Sequence, residues 1–116
     1  PEMNEYLATG TFDLYELHLF QLVVNHRSFT RAAAAAGLTQ SAVTRQVQGM
    51  ETSLGLDLIE RTTRSVRMTP AGEFLYRESL RLLGDVDAVL VRLREEFGGA
   101  RRQIRLGVSQ TIGLAY

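Results

Sequence analysis

The chain has 116 residues, of which 45% are apolar, and this is enough for one compact core. It contains no cysteine, so disulfides and thiolate metal sites are excluded. No apolar run reaches the roughly 20 residues that span a bilayer, and the first residues lack the basic and apolar regions of a signal peptide. We therefore expect a single folded unit in the cytoplasm that does not enter a membrane.

Charge is unevenly distributed along the chain, although the formal net charge at pH 7 is zero. Residues 27–69 contain six arginines and three carboxylates, whereas residues 1–26 contain carboxylates and no arginine. A charged partner responds to the local field rather than to the total charge. The arginine-rich segment is therefore suited to form a basic face in a protein that is neutral overall.

The first predicted elements are an arm and a helix. Residues 1–12 show no clear periodicity and are interpreted as a flexible or extended arm. Asp13 is a suitable N-cap, and apolar residues then recur at helical spacing up to Val24. This pattern predicts a helix that ends near His26.

The stretch SFTRAAAAAGL predicts a second, short helix. Ser28 or Thr30 can cap its N-terminus, five alanines form its body, and Gly37 suits the left-handed position at its end. Thr39 then caps a third helix, so that only Gly37 and Leu38 separate the two. A turn this short predicts that the two helices cross at a steep angle, as in a helix-turn-helix.

The third predicted helix, residues 39–54, has two different faces. The apolar stripe, which predicts a core face, consists of Val43, Val47, Met50 and Leu54. The opposite face is small and polar, and no carboxylate occurs in it before Glu51; it consists of Gln40, Ser41, Thr44, Arg45 and Gln48. Taken alone, such a pattern is most often a solvated amphipathic helix.

The position of the polar face favours a different interpretation. In a helix-turn-helix, the beginning of the second helix points into the major groove of DNA. There glutamine can pair with adenine, arginine with guanine, and a hydroxyl group with several base edges. We therefore assign base contacts to Gln40, Ser41, Thr44 and Arg45.

A hairpin and a long helix are predicted next. Two short strands flank TTRS, and Arg64 at the hairpin tip is placed to contact the sugar-phosphate backbone or a narrowed minor groove. Thr69 as N-cap, Pro70 at the first helical position and Gly98 at the end delimit a helix of about 28 residues, or ~42 Å. This helix is too long for a domain of this size to cover.

Two apolar stripes follow the long helix. One of them is predicted to pack on the helix-turn-helix core, and the other on the same helix of a second chain. One stripe consists of Tyr76, Leu83, Leu90 and Phe97. The dimer contact is assigned to Leu75, Leu82, Val86, Val89 and Leu93.

In the last segment, residues 98–116, apolar side chains occur at every second position at Ile104, Leu106 and Val108, as in a half-buried strand. No strand partner is evident upstream. We therefore expect a strand that belongs to a further domain.

The segment from Leu14 to Gly107 resembles the N-terminal domain of LysR-type transcriptional regulators. The likeness rests on SFTRAA, TQSAVTRQV, LG, ER and TPAG, which match in order and spacing. It implies a mainly α fold, in which a winged helix-turn-helix, with a three-helix core and a short β-hairpin wing, precedes a long dimerisation helix. The boundaries are an arm at 1–12, the winged helix-turn-helix at 13–69, the linker helix at 70–97, and the hinge and first strand of an effector-binding domain at 98–116.

The resemblance also implies the partners. They are double-stranded DNA with an imperfect palindrome and a second copy of the chain, with a tetramer as an alternative for the full-length protein. A small-molecule effector would act only through the domain that follows. In this family, residues matching the four assigned base contacts approach bases, and the wing contacts the DNA backbone. Backbone contacts are accordingly assigned to Thr30, Thr39, Gln48, Arg61, Arg64 and Arg67.

No catalytic residue, cofactor or metal site is predicted. His18 and His26 lie far apart in sequence, without a nearby cysteine or a metal-spaced set of carboxylates, and no glycine-rich phosphate loop follows a strand. The sequence thus argues against an enzyme. Two alternatives remain open: a helical dimerisation or protein-interaction module that does not bind DNA, and a relative with a similar winged domain, such as a molybdate-responsive regulator.

Overall fold

The computed structural model describes residues 11–61 and 65–98 of the chain. The expected fold class is confirmed: three helices form a core, a two-stranded hairpin follows, and a long helix ends the described part. The elements are α1 (Leu14–His26), α2 (Phe29–Ala36), α3 (Gln40–Leu54), β1 (Ile59–Glu60), β2 (Arg67–Met68) and α4 (Pro70–Phe97). Residues 1–10 of the predicted arm, the hairpin tip at Arg64 and the strand predicted after Gly98 lie outside the described residues.

Helix α1 begins and ends where the sequence predicts. Asp13 Oδ1 accepts a hydrogen bond from the backbone N–H of Glu16 at 2.7 Å, and the Glu16 carboxylate accepts one from the Asp13 N–H at 3.0 Å. This reciprocal arrangement is a capping box, which satisfies two N–H groups that the helix leaves free. Arg27 ends the helix in a left-handed conformation, with φ of 53°.

The turn between α2 and α3 has the geometry of a helix-turn-helix. Gly37 adopts φ of 72°, where a glycine avoids the steric cost of a side chain, and the Leu38 N–H donates to the carbonyl of Ala33 at 2.9 Å. Thr39 Oγ1 then accepts from the Ala42 N–H at 3.1 Å and caps α3. The chain therefore changes direction between the two helices within three residues.

The core lies between α1, α2 and α3. Helix α1 contributes its largest buried side chains, and Ala32 and Ala33 allow α2 to approach α1 closely. On α3 the predicted apolar stripe is confirmed: Val43, Val47 and Met50 are buried, and Leu54 packs partly buried against the same cluster. The opposite face of α3 is therefore left to meet solvent or a partner.

The first half of α4 packs antiparallel on α1. The Gln21 side chain donates to Ser79 Oγ at 3.0 Å inside this contact, and the Tyr76 hydroxyl donates to the Asn25 side chain at its edge. Leu83 is buried in the same seam. The Ser79 hydroxyl itself donates to the Tyr76 carbonyl of its own helix at 2.6 Å. This pair favours one register of the two helices, because a shift would leave the buried Gln21 side chain without its hydrogen bond to Ser79.

The second half of α4 extends beyond the core. Whether an apolar residue of α4 is buried therefore depends on how far along the helix it lies, and not on which of the two predicted stripes it belongs to. Leu75 and Leu82 pack partly buried against the core of their own chain, whereas Val89, Leu93 and Phe97 are 55%, 50% and 79% exposed. Within residues 11–61 and 65–98, no helix combines the length and hydropathy needed to cross a bilayer.

Candidate nucleic-acid interface

The polar face of α3 forms the centre of the candidate interface. The structure places Gln40, Ser41 and Arg45 on the exposed surface of the helix, and Thr44 partly buried between them. Gln48 continues this face toward the C-terminus of α3. Four of these five residues are the predicted base contacts, so the structure brings the assigned side chains together on one surface.

The start of the face is held by hydrogen bonds between polar side chains. Thr30 of α2 donates from Oγ1 to Oε1 of Gln40 at 3.2 Å. Thr39 and Ser41 have their hydroxyl oxygens 3.3 Å apart, and the Thr39 oxygen also caps the helix. Two residues assigned to backbone contacts, Thr30 and Thr39, are therefore already engaged with the residues assigned to bases.

Arg45 lies one turn further along α3. Within the described part of the chain its guanidinium makes no hydrogen bond or ion pair, and the side chain is exposed. A guanidinium has five N–H donors in a planar fork, which fits the two acceptors that guanine presents in the major groove. Arg45 is thus free to bind an acceptor of this kind without first breaking a contact.

The base of the wing is connected to α3 by a buried carboxylate. Glu51 Oε2 accepts from the backbone N–H groups of Leu58 and Ile59 at 2.7 and 3.1 Å, and its other oxygen pairs with the guanidinium of Arg61. Glu51 is 6% exposed, whereas the Arg61 side chain is 47% exposed. Arg61 is therefore anchored at one nitrogen and keeps further donors at the surface.

A surface cleft lies between the N-terminus of α2 and the wing. It brings together three residues that the sequence assigned to DNA, Thr30, Gln40 and Arg61. Arg27 adds a second guanidinium to its wall, and Glu60 adds a carboxylate. The cleft is therefore polar and contains more positive than negative side chains among its described residues.

The second strand of the wing contributes Arg67. It is exposed and lies opposite Glu60 in the antiparallel pair of β1 and β2. Opposite charges facing each other across two strands stabilise such a pair modestly. Arg64, the predicted tip of the wing, lies outside the described residues.

The residues assigned to the dimer contact do not share one environment. Val89 and Leu93 are exposed, Val86 is partly buried, and Leu75 and Leu82 contact the core of their own chain. Other large apolar side chains are exposed on α4 that the assignment did not include: Phe74, Leu80 and Phe97.

Sequence reasoning did not anticipate the role of Glu51, which it used only to mark the end of the uncharged face. A signal was present: Glu51 is one residue after Met50 and four after Val47, so it falls beside the apolar stripe. A carboxylate at the edge of a buried stripe needs a charged or hydrogen-bonding partner, and Arg61 follows ten residues later. In the described ranges, no group of three histidine, cysteine, aspartate or glutamate side chains could hold a metal ion.

Comparisons with known proteins agree with this geometry. Residues 14–73 match the family model described as bacterial regulatory helix-turn-helix protein, lysR family. The chain is 37% identical over 98 residues to the HTH-type transcriptional regulator PtxR of Pseudomonas aeruginosa, covering 84% of this chain and 31% of PtxR. It is also 37% identical over 95 residues to the HTH-type transcriptional regulator BenM of Acinetobacter baylyi, covering 82% and 31%. The chain thus spans about a third of the length of these curated relatives.

A solved structure shows the same fold. The crystal structure of the BenM_DBD/benA site 1 DNA complex superposes with a TM-score of 0.70 at 36% sequence identity. The match covers 77% of this chain and 99% of that one. The likeness therefore extends over almost the whole of a protein chain that was crystallised with DNA.

Proposed function

Because the chain belongs to the lysR family of bacterial regulatory helix-turn-helix proteins, we propose that it reads double-stranded DNA through the exposed face of α3. Gln40, Ser41, Thr44 and Arg45 enter the major groove and contact base edges. The wing contacts the phosphate backbone. The protein acts as a transcriptional regulator in the cytoplasm.

One observation supports this proposal above the others. Helix α3 buries its apolar stripe completely at Val43 and Met50, and it exposes the opposite face directly after a three-residue turn. In a helix-turn-helix this face is the one that meets the major groove. Arg45 is exposed there without a partner among the described residues, so its guanidinium is available to an acceptor on DNA.

We also propose contacts between the protein and the phosphate backbone of DNA. These contacts are proposed for Arg61 and Arg67 at the base of the wing, for Gln48 of α3 and for its N-cap Thr39. Arg64 is included on its position in the sequence alone. Phosphate contacts fix the position of a protein on the duplex, and their strength depends on salt. Arg61 suits this role because Glu51 anchors its guanidinium at one nitrogen only.

We further propose that two copies bind together. A dimer held by α4 places two α3 helices on half-sites about 34 Å apart, one turn of B-DNA, or a multiple of this distance. This arrangement predicts an imperfect palindrome. A tetramer, and control by a small-molecule effector, would require segments beyond the described residues.

Selection of bound sequences from a random duplex pool tests the proposal. We expect an enriched palindrome whose affinity falls as salt rises, because each phosphate contact releases counterions. Enrichment of no sequence, together with absence of binding at low salt, would instead favour a helical protein-interaction module.

Replacement of Arg45 distinguishes base contact from phosphate contact. We expect Arg45→Ala to lose about 1–3 kcal/mol on the selected site and to relax the base preference at one position, with little effect on unrelated DNA. The matched control, Arg67→Ala, should weaken both DNAs similarly and lower the slope of log affinity against log salt by about 1. Fluorescence anisotropy at three salt concentrations measures both. Equal losses on both DNAs for Arg45→Ala would make Arg45 a phosphate contact.

A further inference from the structure

Thr30 of α2 lies beside Gln40, the first residue of α3. Its hydroxyl donates a hydrogen bond to Oε1 of Gln40 at 3.2 Å, and this contact joins the two helices of the helix-turn-helix at the surface proposed to meet DNA. The sequence assigned Thr30 to the phosphate backbone and Gln40 to a base. Their hydrogen bond suggests a different role for Thr30.

Thr30 is available for this contact because another residue caps α2. Ser28 Oγ accepts from the Arg31 N–H at 3.0 Å, so the sequence alternative of Thr30 as cap is not used. Thr30 is the second residue of α2 and is exposed. Its hydroxyl is therefore not required to complete the N-terminus of the helix.

The Thr30 hydroxyl cannot donate to Gln40 and to a phosphate oxygen at the same time. A hydroxyl has one proton to donate, and the oxygens of a phosphodiester only accept. While Thr30 donates to Gln40, it has only lone pairs left, and these cannot bind a phosphate oxygen. Thr30 can therefore donate its hydrogen bond to Gln40 or to the DNA backbone, but not to both at once.

The contact leaves Gln40 able to read a base. The amide oxygen has a second lone pair, and the NH₂ group retains both donors. Adenine presents an N6 donor and an N7 acceptor in the major groove, which match these two groups of a glutamine side chain. A hydrogen bond to Oε1 determines which end of the amide points toward α2. An exposed glutamine ordered in this way before binding loses less rotamer entropy on the DNA.

We propose that Thr30 is a positioning residue for Gln40, which it orients so that the protein prefers adenine at the base pair Gln40 reads. This inference rests on the proposed function, since it requires Gln40 to face DNA. The hydrogen bond is exposed in the free protein and strengthens when DNA excludes water from it. Thr30 thus acts on sequence preference through Gln40 and makes no contact with the phosphate backbone of its own.

A double-mutant cycle on the full chain tests the inference. The wild-type protein first selects its site from the random pool, and Gln40→Ala identifies the base pair whose preference depends on Gln40. Affinities of the wild type, Thr30→Val, Gln40→Ala and the double variant are then measured on the selected site and on the three sites altered at that pair. Thr30→Val removes the hydroxyl and nearly preserves the shape, and Thr30→Ser restores the hydroxyl.

The expected result is a loss of about threefold to tenfold for Thr30→Val on the selected site, with a flattened preference at the pair that Gln40 reads. In the Gln40→Ala background, Thr30→Val should have no further effect, and Thr30→Ser should retain the wild-type preference. Thermal unfolding of each variant checks that the fold is retained, and Thr30→Ala provides a second variant without the hydroxyl.

Two results would overturn the inference while the proposed function survives. One is an equal loss on all four sites that persists in the Gln40→Ala background, as a phosphate contact would give. The other is unchanged affinity and preference for both Thr30→Val and Thr30→Ala. Failure of the wild type to bind any duplex would overturn the proposed function and this inference with it.

Discussion

Glu51 is a buried carboxylate that determines where the wing begins. It accepts hydrogen bonds from two successive backbone N–H groups, those of Leu58 and Ile59, and its other oxygen pairs with Arg61. One side chain of α3 therefore satisfies the backbone of the turn after the helix and also places an arginine of the candidate interface. Glu51 therefore links the stability of the fold to the position of the Arg61 side chain.

Replacement of Glu51 should destabilise the fold in proportion to the acceptors that are lost. We expect Glu51→Ala to lower the free energy of unfolding by about 2–4 kcal/mol, because it leaves buried N–H groups without an acceptor. Glu51→Gln keeps one acceptor oxygen and should cost less. Urea unfolding measures both, with the exposed Glu95→Ala as control, expected within about 0.5 kcal/mol of the wild type. An alanine variant as stable as the control would contradict the role given to Glu51.

His18 makes the stability of the fold depend on pH. Its Nδ1 atom is buried without a hydrogen bond among the described residues, and burial lowers the pKa of this side chain below 6.5. The Tyr15 ring lies beside it, with the ring centroids 6.5 Å apart. The folded state therefore binds a proton less readily than the unfolded state, so the unfolded state gains protons first as the pH falls.

The free energy of unfolding should accordingly decrease as the pH drops through 6.5 toward the lower pKa of the folded state. His18→Gln removes this contribution, so its stability should fall less than that of the wild type between about pH 7.5 and 5.5. Urea unfolding at four pH values measures the difference, and His26→Gln, at the exposed end of the same helix, shows whether it belongs to His18. A His18→Gln variant whose free energy of unfolding changes with pH as that of the wild type does would contradict the prediction.

The junction between the wing and α4 depends on a close approach of two backbones. Thr69 caps α4 through the Gly72 N–H at 3.0 Å, and its hydroxyl also donates to the carbonyl of Asp57 at 2.6 Å. A Cβ atom on Gly72 would overlap the carbonyl oxygen of Leu58. The first turn of α4 can therefore pack against the backbone of Leu58, the residue before β1, only because residue 72 has no side chain.

Gly72→Ala should destabilise the fold although alanine is the better helix former. The added methyl group meets backbone, which cannot rotate away, and we expect a loss of about 2–3 kcal/mol. Gly49→Ala is the matched control, since this glycine is also inside a helix and a Cβ there meets nothing within 4 Å. It should gain up to about 1 kcal/mol. Equal shifts in the unfolding midpoints of the two variants would refute the close contact.

The elements show which parts of the fold the sequence could predict. Caps such as Asp13, Thr39 and Thr69 were predictable because each acts on a backbone N–H only three residues away. The roles of Glu51 and Gly72 depend on contacts with a turn or strand that follows or precedes them, and periodicity has no information about such contacts. The sequence likewise identified the exposed face of α3 but not the hydrogen bonds within it.

At the scale of the whole molecule, the length of α4 exceeds what the core covers. Leu83 is the last buried apolar residue of the described helix, and beyond it Val89, Leu93 and Phe97 recur every four residues with half or more of each side chain exposed. Repetition of apolar residues at this spacing forms a continuous strip on one side of a helix. A second copy of α4 is the occupant that the proposed dimer supplies for this strip.

Charge placed in this strip should separate the copies without unfolding either of them. We expect the double variant Val89→Asp and Leu93→Asp to sediment as a monomer and to bind the selected palindrome more weakly, because the second half-site no longer adds to affinity. Ala88→Asp is the control: it introduces the same group at an exposed position on the face that includes Asp85 and Arg92, and it should remain a dimer. Leu82→Asp, by contrast, should lower the unfolding midpoint, since Leu82 packs against the core of its own chain. Analytical ultracentrifugation across a range of concentrations distinguishes these outcomes, and circular dichroism confirms the fold of each variant. An unchanged dimer in the double variant would place the interface elsewhere on the chain.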